Sequence, residues 1–189
     1  MLDRAAALEL IKAQGPESHL VQHALASEAV LRALAARLGE DQELWAMAGL
    51  LHDIDYPLNT SNMADHDYVG ADLLAGKMPE TALKAIRAHN PRPGDAANAP
   101  ATPLDFALRC GETVTGLISA AALVRPTGLE GMQASSLKKK MKDKAFAASV
   151  NRETIKECDR LGLDLGEFLD LAIAAMTPLA GDLGLEPGK

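Results

Sequence analysis

The chain has 189 residues, enough for one domain with a sizeable core, and 48% of them are hydrophobic, which argues against disorder. Aromatic residues make up only 3% while alanine and leucine are abundant, a composition that favours helices. The formal net charge of −7 argues against nucleic acid as a partner, because a field of that sign repels phosphate backbones. A small anionic substrate in a locally positive pocket stays open.

Helical spacing of apolar residues predicts an all-α chain without strands or internal repeats. The predicted helices cover residues 3–13, 17–38, 41–53, 66–76, 79–90, 104–124, 135–149, 151–161 and 165–183. Asp65 and Asn151 are predicted N-caps, and Pro79 is predicted to open its helix. Proline and asparagine predict loops over 54–64 and 91–103.

Cysteine content and hydropathy indicate a cytoplasmic protein. The two cysteines, Cys110 and Cys158, are predicted to be buried thiols in a reducing compartment. No basic segment and apolar stretch resembling a secretory signal begins the chain. No uninterrupted apolar run approaches the roughly 18–20 residues that cross a bilayer, so we expect no membrane partner.

Histidines and carboxylates on apolar helices carry the strongest functional signal. His52 is followed at once by Asp53 at the end of an apolar helix, and Glu112 lies in another. A buried carboxylate needs a cation and a buried imidazole needs a partner, and a divalent metal satisfies both. The five histidines are His19, His23, His52, His66 and His89. Taken singly, each could be a hydrogen-bonded core residue, and His19, near a helix start, is predicted to be a surface or capping residue.

The order of these residues, His23, His52-Asp53, His66, His89 and Glu112, resembles the HD-domain superfamily of metal-dependent phosphohydrolases. More narrowly, it is similar to the small HDIG-type HD hydrolases of bacteria and archaea. The segments that carry the resemblance are 49–55, 88–90, 115–118 and 138–152. It implies an all-α HD-domain helical bundle with additional C-terminal helices. We expect one domain over 1–189, with a metal-binding core over about 17–125 and accessory basic and C-terminal helices over about 126–189.

The resemblance also implies a ligand set. His23, His52 and Asp53 would bind a first divalent metal, and the last acid, Glu112, would close the site. His66 and His89 match the HD subset that holds two metals bridged by the aspartate, here Asp53. The family usually has aspartate where this chain has Glu112, which is one methylene longer and still able to reach a metal. The cofactor is therefore one or two divalent ions, with iron, manganese, zinc, nickel and magnesium open.

A basic segment is the second functional signal. Residues 138–144 hold five lysines and one aspartate in an otherwise acidic chain. Local positive charge attracts small anions, and the resemblance extends through this run, although a solvated helix face is the alternative. We predict that basic side chains line a phosphate-binding mouth: Lys139, Lys140, Lys144, Arg152 and Arg125.

The predicted function is hydrolysis of a small phosphorylated metabolite or nucleotide by a metal-activated water, with Asp53 and His52 as catalytic residues. Two alternatives stay open. A degenerate HD domain would bind a nucleotide or metal without turnover, an alternative that Glu112 invites. A di-iron oxygenase with the same ligand order would depend on O₂. The alanine- and leucine-rich helices could also support a homodimer.

Overall fold

The computed structural model describes residues 1–58, 63 and 65–187, and this part of the chain contains helices and no strand. The all-α prediction is confirmed. The α-helices are α1 (Arg4–Ala13), α2 (Ser18–Leu38), α3 (Gln42–Leu51), α4 (Tyr68–Leu73), α5 (Glu80–His89), α6 (Pro103–Leu123), α7 (Ala134–Lys142), α8 (Arg152–Lys156) and α9 (Leu165–Met176). Short 3₁₀ helices lie at Tyr56–Leu58, Ala96–Asn98, Glu157–Leu161 and Thr177–Leu179.

Of the predicted helix starts, Asn151 is confirmed, Pro79 is displaced by one residue and Asp65 is wrong. The Asn151 side chain accepts hydrogen bonds from the backbone N–H groups of the first turn of α8, and Pro79 directly precedes α5. Asp65 does not cap α4, because that helix begins at Tyr68. The residue before it, Asp67, has a φ of +72°, and this turn of the backbone sets the helix start.

The predicted helix over 135–149 is shorter than expected. α7 ends at Lys142, because Asp143 has an extended backbone and its side chain accepts a hydrogen bond from the Ala145 N–H. Such a local bond offers the backbone an alternative to helix continuation. Within the predicted loop over 54–64, Tyr56–Leu58 forms a 3₁₀ helix, while positions 59–62 and 64 lie outside the described residues.

The helix α2 is the centre of the bundle and packs against α3, α6 and α9. Gly49 sets the closeness of α2 and α3, because a Cβ added to it would lie 2.7 Å from the Ser27 carbonyl oxygen. A residue without a side chain is therefore required where the two backbones meet. This contact lies about one turn from both His23 on α2 and His52 at the end of α3, so it also fixes how these two residues face each other.

The helix α6 runs through the core and carries mainly apolar residues. It is long and apolar enough, by length and composition, to cross a membrane, and it alone among the described helices passes that test. Of the tested segment, 61% is buried by the rest of the protein, as in the core helix of a bundle. Cys110 on α6 is a buried free thiol, as is Cys158, which confirms the predicted burial of both cysteines.

Candidate metal centre

The six residues predicted as metal ligands converge at one place in the bundle. Five different segments supply them: the N-terminal third of α2, the end of α3, the turn before α4, the last residue of α5 and the middle of α6. The residues are His23, His52, Asp53, His66, His89 and Glu112. Their side chains are buried or half-buried, and that of His52 is fully enclosed.

One group of four side chains forms what we call the first half-site: His23, His52, Glu112 and the Oδ2 atom of Asp53. The Nε2 atoms of His23 and His52 lie 3.2 Å apart. Asp53 Oδ2 lies 3.6 Å from the first and 3.4 Å from the second, and Glu112 Oε2 lies 3.7 Å from His23 Nε2. Ligand bonds of about 2.1 Å separate neighbouring ligand atoms by roughly 3–3.5 Å. The spacing therefore suits one divalent ion.

The second half-site consists of His66, His89, Asp67 and the Oδ1 atom of Asp53. Asp53 Oδ1 lies 3.2 Å from His66 Nε2 and 3.8 Å from His89 Nε2. Asp53 thus turns one carboxylate oxygen to each half-site, the arrangement expected of a bridging residue. Asp67 Oδ1 lies 3.1 Å from His66 Nε2, and Asp67 Oδ2 lies 3.2 Å from His89 Nδ1.

Sequence reasoning missed Asp67. It follows His66 directly, but the pattern of apolar residues around it in the sequence does not indicate that it is buried. Its backbone lies at φ +72° and ψ −33°. Non-glycine residues rarely adopt this conformation, because it costs about 1–3 kcal/mol. Only the three-dimensional position reveals its part in the centre.

Hydrogen bonds orient all four histidine rings so that Nε2 faces the centre. The Nδ1 atoms of His52 and His89 lie 2.8 Å and 3.1 Å from backbone carbonyls, which can only accept. His66 Nδ1 lies 3.1 Å from the carboxylate of Asp55. In each case Nδ1 must donate its hydrogen, so the neutral ring presents its Nε2 lone pair to the centre.

His23 is oriented through a hydroxyl group. Its Nδ1 lies 3.0 Å from Thr115 Oγ1, and that hydroxyl donates to the Glu112 carbonyl at 2.7 Å. Because the hydroxyl hydrogen is already used, Thr115 accepts from His23 Nδ1–H. His23 Nε2 is then the free lone pair, as a metal ligand requires.

Burial and the neighbouring charges shift the pKa values of the three carboxyl groups in different directions when no metal is bound. Burial raises the pKa of Glu112 to about 8 and that of Asp67 to about 9. Burial works to raise the pKa of Asp53 as well, but His52 and the hydrogen bond with His66 hold that pKa well below its usual range. Asp53 is therefore the charged carboxylate of the metal-free centre, and the other two are protonated at neutral pH.

The pKa values of the histidines are also shifted in different directions. Burial lowers the pKa of His23 to about 4 and that of His89 to about 3. Burial also works to lower the pKa of His66, but hydrogen bonds with Asp53 and Asp55 outweigh it and raise that pKa to about 10. His23 and His89 are thus neutral at pH 7, the form that binds metals.

The donor set fits divalent metals. Imidazole nitrogens together with carboxylate oxygens suit zinc, iron, manganese and nickel. Both carboxylate oxygens of Asp67 are buried, and neither has a hydrogen-bond partner among the described residues. A buried carboxylate in that condition is costly unless a cation or a proton accompanies it. The centre as a whole therefore has the groups and the spacing to hold one or two ions.

The predicted substrate-binding residues lie outside the ligand cluster, on α7, at the start of α8, between these two helices and just after α6. Lys144 and Arg152 line a groove of about 850 Å³ beside α7 and α8, which we call the lysine groove. Three lysines that were not predicted also line it: Lys138, Lys142 and Lys156. Lys139 is exposed on α7, and the Lys140 ammonium lies 3.9 Å from the ring centre of Phe146.

Both predicted arginines bind backbone carbonyls of nearby turns. Arg125 donates to the carbonyl oxygens of Gly128 and Glu130, which closes the turn after α6. The Arg152 guanidinium donates to carbonyls of the segment before α8, including those of Phe146 and Ala147. These bonds use most of the arginine donors, so a substrate role for either stays a prediction. His19 is exposed beside Glu17, as expected of a surface residue.

Arg109 is a further residue that sequence reasoning missed. On α6, it donates to the carbonyl oxygens of Ala88 and His89 at the end of α5. The same guanidinium forms an ion pair with Glu157 through contacts of 2.6 and 2.7 Å. Arg109 therefore joins the segment that carries a predicted ligand to the C-terminal helices.

An all-helical bundle around a centre of histidines and carboxylates defines a class, the helical metal-binding proteins that build their sites between facing helices. Within that class, the HD domain family model matches residues 20–143, more than half of the chain. The protein belongs to the HD domain family, whose members are generally metal-dependent hydrolases that bind divalent ions. Neither the curated proteins nor the solved structures contain a match to this chain.

Proposed function

We propose that this protein is a metal-dependent phosphohydrolase that acts on a small phosphorylated metabolite or nucleotide. The observation that carries the proposal is the position of Asp53, whose two carboxylate oxygens face two separate groups of histidines and acids. When bound, divalent metals in such a centre lower the pKa of a water toward neutrality and neutralise charge on phosphoryl oxygens.

The protein's own residues hold and orient this chemistry. Asp53 fixes the separation of the two half-sites, because both its oxygens are engaged from a single side chain. His52, fully enclosed and bonded to the Gly49 carbonyl, keeps its Nε2 directed at the first half-site without reorganisation. Rigid ligands of this kind favour a reaction in which charge develops at a fixed place.

The lysine groove supports a phosphorylated substrate. Its lysines supply positive charge in a chain of net charge −7, and its floor includes the apolar side chains of Met141 and Val150. A Cβ added to Gly116 would lie 3.3 Å from a methyl group of Val150. Gly116 comes one helical turn after Glu112, so groove and first half-site lie against the same helix. We propose that the groove holds anionic groups of the substrate that do not react.

The test begins with the metal content of untagged protein purified without chelator. We expect about two equivalents of metal and metal-dependent phosphate release from a panel of monoesters, cyclic nucleotides and nucleoside triphosphates. Activity that needs O₂ would favour the oxygenase, and nucleotide binding without turnover would favour a binding module. Near-zero metal that iron, manganese or zinc cannot restore would contradict the proposal.

The groove has a matched pair of variants on one helix. Lys142→Ala removes a lysine of the groove, while Lys139→Ala removes an exposed lysine of α7 that does not line it. We expect KM to rise in the first variant with little change in kcat, because the side chain binds a non-reacting group. An equal rise in both variants would indicate a general electrostatic effect.

We also propose that the chain forms one domain. Buried hydrophobic side chains from Ala7 in α1 to Leu185 near the C-terminus belong to one cluster. The ion pair between Arg37 and Glu167 joins α2 to α9 in addition. A cytoplasmic location and a homodimer are further proposals, and analytical ultracentrifugation measures the latter.

A further inference from the structure

We propose that Asp67 is a metal ligand of the second half-site, which then binds its ion through two carboxylates and two histidines. This inference rests on the proposed function, because it assigns a residue to the metal centre on which that function depends. Asp67 belongs to no motif in the sequence. Its assignment follows from its burial, its neighbours and its backbone.

The first argument is the environment of the side chain. Asp67 is fully buried, and its two oxygens have no hydrogen-bond partner among the described residues. The other fully buried carboxylate near the centre, Asp55, accepts hydrogen bonds from His66 Nδ1 and from the Asp67 N–H. A buried acid that lacks such partners requires a cation to be stable in its ionised form.

The second argument is the position of the His66 lone pair. Because His66 Nδ1 donates to Asp55, its Nε2 presents a lone pair to the centre whenever the ring is neutral. Two carboxylate oxygens face that lone pair, Asp53 Oδ1 at 3.2 Å and Asp67 Oδ1 at 3.1 Å. Three electron-rich atoms at these distances repel one another unless a positive ion or a proton lies among them. The separations equal those between neighbouring ligands of one divalent ion.

The third argument is the backbone. Asp67 lies at φ +72°, and its N–H is fixed by the Asp55 carboxylate at 2.9 Å. Gly70 leaves room for that carboxylate, since a Cβ there would lie 2.9 Å from Asp55 Oδ1. Local strain of this kind persists where surrounding contacts impose it and is concentrated at functional sites. Here the strained turn directs the carboxylate of Asp67 at the second half-site.

Asp67→Asn tests the inference, because asparagine keeps the shape, tolerates positive φ and removes the charge. Asp72→Asn on α4 is the matched control, since its side chain is exposed. We would measure Mn²⁺ binding to the metal-free full chain by calorimetry, and bound metal by elemental analysis. We expect two ions in the wild type and in Asp72→Asn. In Asp67→Asn, one ion should keep its affinity and the other should bind at least about 10-fold more weakly.

Thermal unfolding keeps the inference testable even if the variant folds poorly. Without metal, Asp67→Asn should be as stable as the wild type or more so, because it removes a buried acid whose oxygens accept no hydrogen bond from the described residues. The increase in Tm on adding Mn²⁺ should be smaller than in the wild type. Two unchanged affinities in Asp67→Asn, or a large loss of metal-free stability, would overturn the inference alone. A wild type that binds no metal would overturn the proposed function as well.

Discussion

The two half-sites of the metal centre use similar side chains but are supported in different ways. The first half-site takes its candidate ligands from α2, the end of α3 and α6, helices of 10 to 21 residues that meet in the core. The second takes His66 and Asp67 from the turn before α4, a helix of 6 residues. Helix packing therefore positions the first group, and a network of hydrogen bonds around Asp55 positions much of the second.

The acids of the two half-sites also differ in how they are supported by hydrogen bonds. Glu112 accepts a hydrogen bond from the Thr113 hydroxyl, while Asp67 has no such bond within the described residues. We infer that the first half-site is formed before metal arrives, and that the second depends more on the ion itself. The comparison predicts that one carboxylate, Asp53, joins a site held by helix packing to a site that depends more on its ion.

Removing the bridge should have the largest effect, because Asp53 serves both half-sites. We expect Asp53→Ala to lose both metals and to reduce phosphoester hydrolysis to background, while the helices stay folded. Elemental analysis, turnover assays and circular dichroism measure the three parts. Turnover that persists in metal-stripped Asp53→Ala would contradict the scheme.

Removing one histidine from each half-site should separate the two. His23→Ala should lose the ion of the first half-site, and His66→Ala the ion of the second, so each variant should retain about one equivalent. We expect the remaining ion of His66→Ala to be bound more tightly than that of His23→Ala, because the first half-site is preformed. The reverse order, measured by calorimetry with Mn²⁺, would remove the distinction between the half-sites.

Disturbing the contact between α2 and α3, the helices that carry much of the first half-site, should lower the free energy of unfolding. A Cβ in Gly49→Ala would lie 2.7 Å from the Ser27 carbonyl, and we expect a loss of about 1–3 kcal/mol in the free energy of unfolding. In the control, Gly116→Ala, the Cβ meets a movable Val150 methyl at 3.3 Å, so stability should change little. Chemical denaturation measures both. Equal losses would show that the α2–α3 contact has no special role.

The smallest effect is the release of protons on metal binding. The pKa values of Glu112, Asp67 and His66 are raised to about 8, 9 and 10, so all three hold a proton at pH 7 without metal. Metals bind the deprotonated forms, so binding should release protons and affinity should rise between pH 7 and pH 9. Two of these groups belong to the second half-site. His66→Ala, left with the first ion, should therefore show a weaker pH dependence by calorimetry in buffers of different ionisation enthalpy.

The candidate ligands that the sequence indicated are four rare histidines, an aspartate that directly follows one of them, and a glutamate in an apolar helix. With five histidines in the chain, four on separate apolar helices stood out. Asp67 and Asp55 are two of 26 acidic residues, and only folding shows that they are buried. Thr115 lies in a segment that carries the family resemblance, but its contact with His23 could not be predicted, because periodicity does not reveal a hydroxyl contact between α6 and α2.

Helix existence was predictable and some helix ends were not. Apolar spacing located the helices because it reflects burial on one face. The end of α7 depends instead on Asp143, whose side chain competes with the helix for a backbone N–H. The start of α4 depends on the strained turn at Asp67, whose N–H donates to the carboxylate of Asp55, twelve residues earlier in the chain.

The ion pair of Arg109 with Glu157 has a consequence for how substitutions in this protein are interpreted. Glu157 lies beyond residue 143, where the match to the HD domain ends, yet its partner Arg109 holds the carbonyl oxygen of His89. Comparison with the family motif alone would predict no effect for a natural variant that lacks the acid at position 157. We expect such a variant to weaken the contact of Arg109 with the His89 carbonyl. Substitutions in the C-terminal helices would then weaken metal binding at a centre with which these helices make no direct contact.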